Sequence, residues 1–149
     1  MLCDWSPEEP SEFDHQIYEM VVPADHHLRK ALEAVSWDDF EEPLALYYSP
    51  DQGRPAKSPV RMLKFEYLRY HYRLSDRQVI ERAKTDMAFR CFLHIDVDGP
   101  LPVPSSLSYF RGRLGAEGFR KVFDQVVHQA RGHGLVRDRL RLKDASHVI

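Results

Sequence analysis

The chain has 149 residues, 43% hydrophobic and 30% charged, which fits one folded domain, or one domain plus a fragment, and excludes a wholly disordered chain. No stretch approaches the ~18 consecutive apolar residues of a membrane helix, Met1-Leu2-Cys3-Asp4-Trp5 lacks the pattern of a signal peptide, and two cysteines, Cys3 and Cys91, build neither a disulfide framework nor a four-cysteine zinc site. The net charge of −2 is unevenly spread: residues 1–50 carry two basic side chains against twelve acidic, a net of −10, and residues 51–149 carry nineteen against eleven, +8, so a polyanion-binding surface is expected in the rear half.

Residues 1–22 read as a loosely ordered acidic segment, with Phe13, Ile17 and Met20 as its anchors. A helix is predicted after Pro23, capped by Asp25 and striped by Leu28, Ala31, Leu32 and Val35. Residues 36–58 read as a connection with short helical pieces burying Trp37, Phe40, Leu44, Leu46 and Tyr47. Ser58 then caps a helix over 59–74, with Pro59 at its first position and Leu63, Tyr67, Tyr70 and Leu74 on one stripe. Ser75-Asp76-Arg77-Gln78 is a capping box that starts a helix running to about Lys84. Thr85 is expected to cap another through Phe89 and Phe92, where Cys91 reads as a core thiol. Asp98-Gly99-Pro100, with Pro102 and Pro104, forces a loop. Ser105 or Ser106 caps a short helix to Leu114, which Gly115 stops. Phe119, Val122, Phe123, Val126 and Ala130 then pattern a helix over 116–131. Residues 139–149 alternate polar and apolar at their start and read as a strand, one without an earlier partner strand.

The fold expected is therefore mainly α: a multi-helix domain over 23–134 after the segment 1–22, with 135–149 the start of something sheet-containing. The helices 76–84 and 86–93, with the short basic helix 105–114, have a helix-turn-helix outline. Arg111 and Arg113 suit guanine edges, Ser108 and Tyr109 suit phosphates, and Arg77, Arg82, Lys84 and Arg90 suit backbone contacts. A plain bundle with a basic face accounts for the same pattern. Asp144 shares a strand face with Leu140 and Leu142. A carboxylate there is costly unless it is paired or binds a metal, whereas a solvated terminal Asp needs no partner. Asp25-His26-His27 is not read as a zinc site, because adjacent helix residues point ~100° apart. The aromatic run Phe65, Tyr67, Tyr70, Tyr72 reads as core.

Six segments in order carry a resemblance: Val22-Pro23-Ala24-Asp25-His26-His27-Leu28-Arg29, Gly53-Arg54-Pro55 with Pro59, Leu74-Ser75-Asp76-Arg77, Phe89-Arg90-Cys91-Phe92-Leu93, Pro104-Ser105-Ser106-Leu107-Ser108-Tyr109-Phe110-Arg111-Gly112-Arg113-Leu114, and Lys143-Asp144-Ala145-Ser146-His147-Val148. Together they resemble the N-terminal part of bacterial insertion-sequence transposases of the DDE class, the transposase InsH N-terminal domain, over residues 20–149. The resemblance implies a helical domain that binds the element's terminal inverted repeats in double-stranded DNA. It also implies a following RNase H-like domain whose three carboxylates bind Mg2+ or Mn2+. Asp144 matches the first of the three, in a motif where Ser146 stands for the commoner Thr and Lys143 for an apolar residue. The sequence ends five residues after Asp144, so the expectation is a catalytically incomplete DNA-binding module needing no cofactor by itself. The alternatives are the first half of a split transposase that supplies Asp144 to a partner chain's active site, and an interaction module or repressor that inhibits full-length transposase. The partners expected are DNA, a second copy or full-length transposase, and no membrane; the location expected is the bacterial cytoplasm, at the nucleoid.

Overall fold

The computed structural model describes residues 10–48 and 58–134. Every regular element among them is a helix: α1 (Glu12–Val21), α2 (His27–Ala34), a 3₁₀ turn (Trp37–Phe40) running into α3 (Glu41–Ala45), α4 (Pro59–Tyr72), α5 (Asp76–Thr85), α6 (Met87–Leu93) and α7 (Ser105–Gly132). The mainly α expectation is met. The predicted strand over 139–149 lies outside the described residues. No described helix is long and apolar enough to cross a membrane.

Helix α4 is the centre. Its first turn forms as the sequence dictates, with the Ser58 hydroxyl accepting from the Arg61 N–H and Pro59 inside the start. Its middle departs from the one-stripe expectation: Met62 through Leu68 are buried without a break, because α3, α5, α6 and α7 all pack around it. A helix enclosed on all sides cannot keep a polar face, so Lys64 and Glu66 are buried too. The Lys64 ammonium lies over the rings of Trp37 and Phe92, 5.9 and 5.5 Å from their centroids. Phe65 and Leu68 have no exposed surface, and truncating either to Ala costs about 2–5 kcal/mol.

The front of the chain needs three corrections. Residues 12–21 form α1, capped by Ser11, which accepts from the Asp14 N–H. Its anchor is Tyr18, whose hydroxyl donates to the Ile95 carbonyl at 2.6 Å, whereas Phe13 and Met20 stand 71% and 83% exposed. Helix α2 is capped by the His26 imidazole, not by Asp25, through a bond accepted from the Leu28 N–H. Leu28, Ala31 and Val35 are buried as expected, but Leu46 is 85% exposed.

Helices α5 and α6 share one residue as their joint. Asp86 ends α5 and caps α6, its Oδ1 accepting from the Phe89 N–H, so the cap is Asp86 and not Thr85. The capping box at Ser75 and Gln78 is present in both directions. From α6 to α7 the chain takes residues 94–104, longer than the 3–4-residue turn of a helix-turn-helix. Arginines organise this loop: Arg61 donates to the Leu93 and His94 carbonyls, and Arg90 to those of Asp96 and Gly99.

Helix α7 is two helices. Gly115 breaks it at φ 75°, ψ 164°, a region open essentially to Gly alone. Before the break Leu107, Phe110 and Leu114 face the core; after it Val122, Val126 and Ala130 do. The first half starts at Ser105 with no side-chain cap, so neither Ser105 nor Ser106 plays the capping role expected. Gly118 lets the second half lie on Tyr47, whose phenol oxygen would be 2.9 Å from an added Cβ.

Candidate nucleic-acid interface

Glu66 sits in the buried middle of α4, 1% exposed. Its Oε1 accepts from Arg69 Nη1, one turn along α4, at 2.7 Å, and its Oε2 accepts from Arg111 Nη1, on the first half of α7, at 2.7 Å. Arg111 also grips Asp76, the first residue of α5, with two bonds of 2.9 Å. Arg69 Nε lies 3.0 Å from Asp76 Oδ1, but the angle is too poor for a hydrogen bond. Two arginines and two carboxylates thus lock α4, α5 and the first half of α7 together. Bidentate arginine geometry makes such a joint strong and directional. The Arg111 bonds hold the Asp76 carboxyl below its ordinary range. Burial pushes Glu66 up, and its two guanidinium partners oppose that push.

This joint sorts the residues singled out from sequence. Arg111, expected at a guanine edge, has both Nη atoms engaged with carboxylates, so meeting a base would mean breaking these bonds. Arg90, expected at the DNA backbone, is 6% exposed and donates to loop carbonyls. Arg82 pairs with Asp86 at 3.2 Å and packs over Tyr72 and Phe89. Lys84 pairs with Glu81 at 2.9 Å on the surface, an exposed pair of little weight. Ser108, Tyr109 and Arg113 lie on the exposed side of the first half of α7. Tyr109 is 77% exposed, the Ser108 hydroxyl donates to the Ser105 carbonyl, and the Arg113 guanidinium stacks 4.5 Å over the Tyr48 ring. Gly112, on the same side, has nothing within 4 Å of an added Cβ. Arg77 is exposed and follows Asp76, the residue through which the Arg111 bonds tie the start of α5 to this helix. Asp144 lies outside the described residues.

Sequence reasoning missed Arg73 and Arg120. Both are exposed and make no ion pair with a described residue. Arg73 takes the left-handed conformation (φ 57°) where α4 ends. The available signal was weak: both lie off the apolar stripes, but each has acids three or four residues away, Asp76 for Arg73 and Glu117 and Asp124 for Arg120, which by spacing alone suggests a solvated ion pair.

The model of the transposase domain family DUF772 matches residues 16–113, from α1 through the first half of α7. A protein described as "Uncharacterized protein ORF8 in nfe locus" of Rhizobium meliloti is 26% identical over 138 residues, 88% of this chain; the chain spans 66% of that relative's length. No solved structure matches the chain. With the family match covering well over half its length, the chain belongs to the transposase domain family DUF772.

Proposed function

We propose that residues 10–134 form the DNA-binding module of a transposase, recognising terminal inverted repeats through the exposed side of the first half of α7 and the α4–α5 turn. One observation carries the reading: Arg111 is bonded to Asp76 and Glu66, which fixes a helix presenting Ser108, Tyr109 and Arg113, while Arg77 and Arg73, at the tied α4–α5 turn, make no ion pair with a described residue. A rigid helix with hydroxyls and a guanidinium outward, and exposed cations at the neighbouring turn, suits a groove with its phosphates. Gly112 leaves that side open to close approach. In this assignment Arg113 reads a base, and Arg73 and Arg77 hold phosphates. Asp144 remains the proposed first metal ligand of the catalytic part.

The test is fluorescence anisotropy with the inverted repeat that flanks the coding sequence and with a scrambled duplex, at two salt concentrations. Preference for the repeat that weakens with salt is the expected result. Equal binding to both duplexes, or none, refutes it.

A second reading, the interaction module, draws on α1. Phe13, Ile17 and Met20 stand at i, i+4, i+7 on one side of α1, and Phe13 and Met20 are exposed. Co-purification of tagged chain with full-length transposase, lost in Phe13→Ser with Met20→Ser, distinguishes it.

A further inference from the structure

A cavity of about 230 Å³ opens between α4 and the second half of α7, lined by Glu66, Arg69, Tyr70, Phe119 and Phe123. Its walls are aromatic. Phe119 and Phe123 stack on each other at 5.4 Å and 13°, and Tyr70 meets Phe123 edge-on at 5.4 Å. Its floor is the charged joint: the buried Glu66 carboxylate and the guanidinium of Arg69, whose Nε is buried without a hydrogen-bond partner. The volume is below the ~300–1,000 Å³ of sites for drug-sized ligands, and suits a single planar ring system.

From these features we infer that the cavity receives one unstacked nucleobase of the bound DNA, an inference that rests on the DNA-binding reading. An aliphatic side chain would fill the aromatic walls but leave the buried Arg69 Nε, which has only the poorly aligned Asp76 carboxylate beside it, without a hydrogen bond, which is costly. A base offers a flat π-face to the walls and, on its edge, acceptors for the Arg69 guanidinium. Arg73 follows Tyr70 by three residues and Arg120 adjoins Phe119. Both are exposed cations without an ion pair to a described residue, near in sequence to the cavity walls and available to a phosphate. Extruding a base costs a few kcal/mol, and aromatic stacking returns ~1–3 kcal/mol per base.

The experiment titrates the chain with each of the four deoxynucleoside 5′-monophosphates and with deoxyribose 5-phosphate, following the aromatic NMR signals of Tyr70, Phe119 and Phe123. Duplex binding is measured in parallel by anisotropy. At least one nucleotide is expected to shift all three residues while the sugar phosphate does not. Phe119→Leu, which keeps apolar bulk, is expected to weaken that nucleotide at least about fivefold with an unchanged melting temperature. Should that variant fold poorly, Tyr70→Leu removes the opposite wall and gives the same readout. Equal shifts from the sugar phosphate would make this a phosphate site and overturn the inference. Duplex binding with no nucleotide response overturns the base pocket and leaves the DNA-binding reading standing. Nucleotide response without duplex binding keeps the pocket and removes the duplex reading.

Discussion

Arg111 and Asp76, thirty-five residues apart in sequence, meet in a two-bond pair, Nη1 to Oδ1 and Nη2 to Oδ2, both at 2.9 Å. The same Nη1 reaches Oε2 of the buried Glu66. Removing one partner of a buried pair leaves the other charge uncompensated, at about 3–5 kcal/mol. Arg111 is 28% exposed, so Arg111→Ala is expected near the low end, about 3 kcal/mol. Arg111→Lys should recover only a minor part, because an ammonium cannot make the bidentate contact. Urea unfolding reads both, and a midpoint for Arg111→Ala equal to the parent's would refute the joint. Any loss of DNA affinity in Arg111→Ala should be equal for cognate and scrambled duplexes.

The two glycines of the first half of α7 are expected to respond with opposite signs. Gly115 sits at φ 75°, ψ 164°, a conformation that costs a residue with a Cβ ~1–3 kcal/mol. Gly115→Ala should therefore destabilise by about that amount or force the two halves of α7 into another alignment. Gly112 is helical and exposed, with open space where a Cβ would go. Gly112→Ala should stabilise by ~0.5–1 kcal/mol. Chemical denaturation of both variants decides this; shifts of the same sign would contradict the assigned backbone.

Acid should loosen the fold well before its carboxylates titrate. Burial first, then the neighbouring Lys64 and Arg61, holds the His94 imidazole down at about 4, with Asp38 opposing. His27, which bonds the Tyr72 hydroxyl and stacks on His26 and His71, is lowered as well, by burial first and His26 next. An unfolded His titrates near ~6.5, so from there down to the folded value the unfolded state binds more protons. Their contribution to stability is complete above that range and is lost as pH falls through it. The melting temperature is expected to be lower at pH 5 than at pH 7.5. His94→Asn, which tolerates the left-handed backbone at this position (φ 57°), should flatten the dependence; a parent protein equally stable at both pH values would sink the argument.

Local rules that a few residues decide were legible in the sequence. Ser58 with Pro59, the Ser75–Gln78 box and the Gly115 break all form as read. Caps with rival candidates side by side were not: His26 outcompetes Asp25, and Asp86 outcompetes Thr85. Pattern also failed where tertiary enclosure overrides it, as in α4, whose Lys64 and Glu66 are buried against the polarity rule. The candidate surface was half legible. The basic rear half pointed to it, but nothing local distinguishes Arg111 and Arg90, consumed by the fold, from Arg77 and Arg113 at the surface. Arg111's carboxylates lie 35 and 45 residues away, and only packing brings them together.

That division can be measured through salt. Arg73 and Arg77 are exposed cations without an ion pair to a described residue, so each, if it neutralises one phosphate, contributes about one unit to the slope of log affinity against log salt. Arg73→Gln and Arg77→Gln should each reduce that slope by about one, weaken cognate and scrambled duplexes alike and leave unfolding unchanged. Arg113→Gln should instead cost ~1–3 kcal/mol on the cognate repeat and relax the preference at one base pair, with a small stability loss from the Tyr48 stacking. Arg90→Gln should do neither; it should unravel the 94–99 loop and lower the melting temperature, because its donors hold the Asp96 and Gly99 carbonyls. If Arg90→Gln changed the salt slope at unchanged stability while Arg77→Gln did not, the face assigned to DNA would be the wrong one.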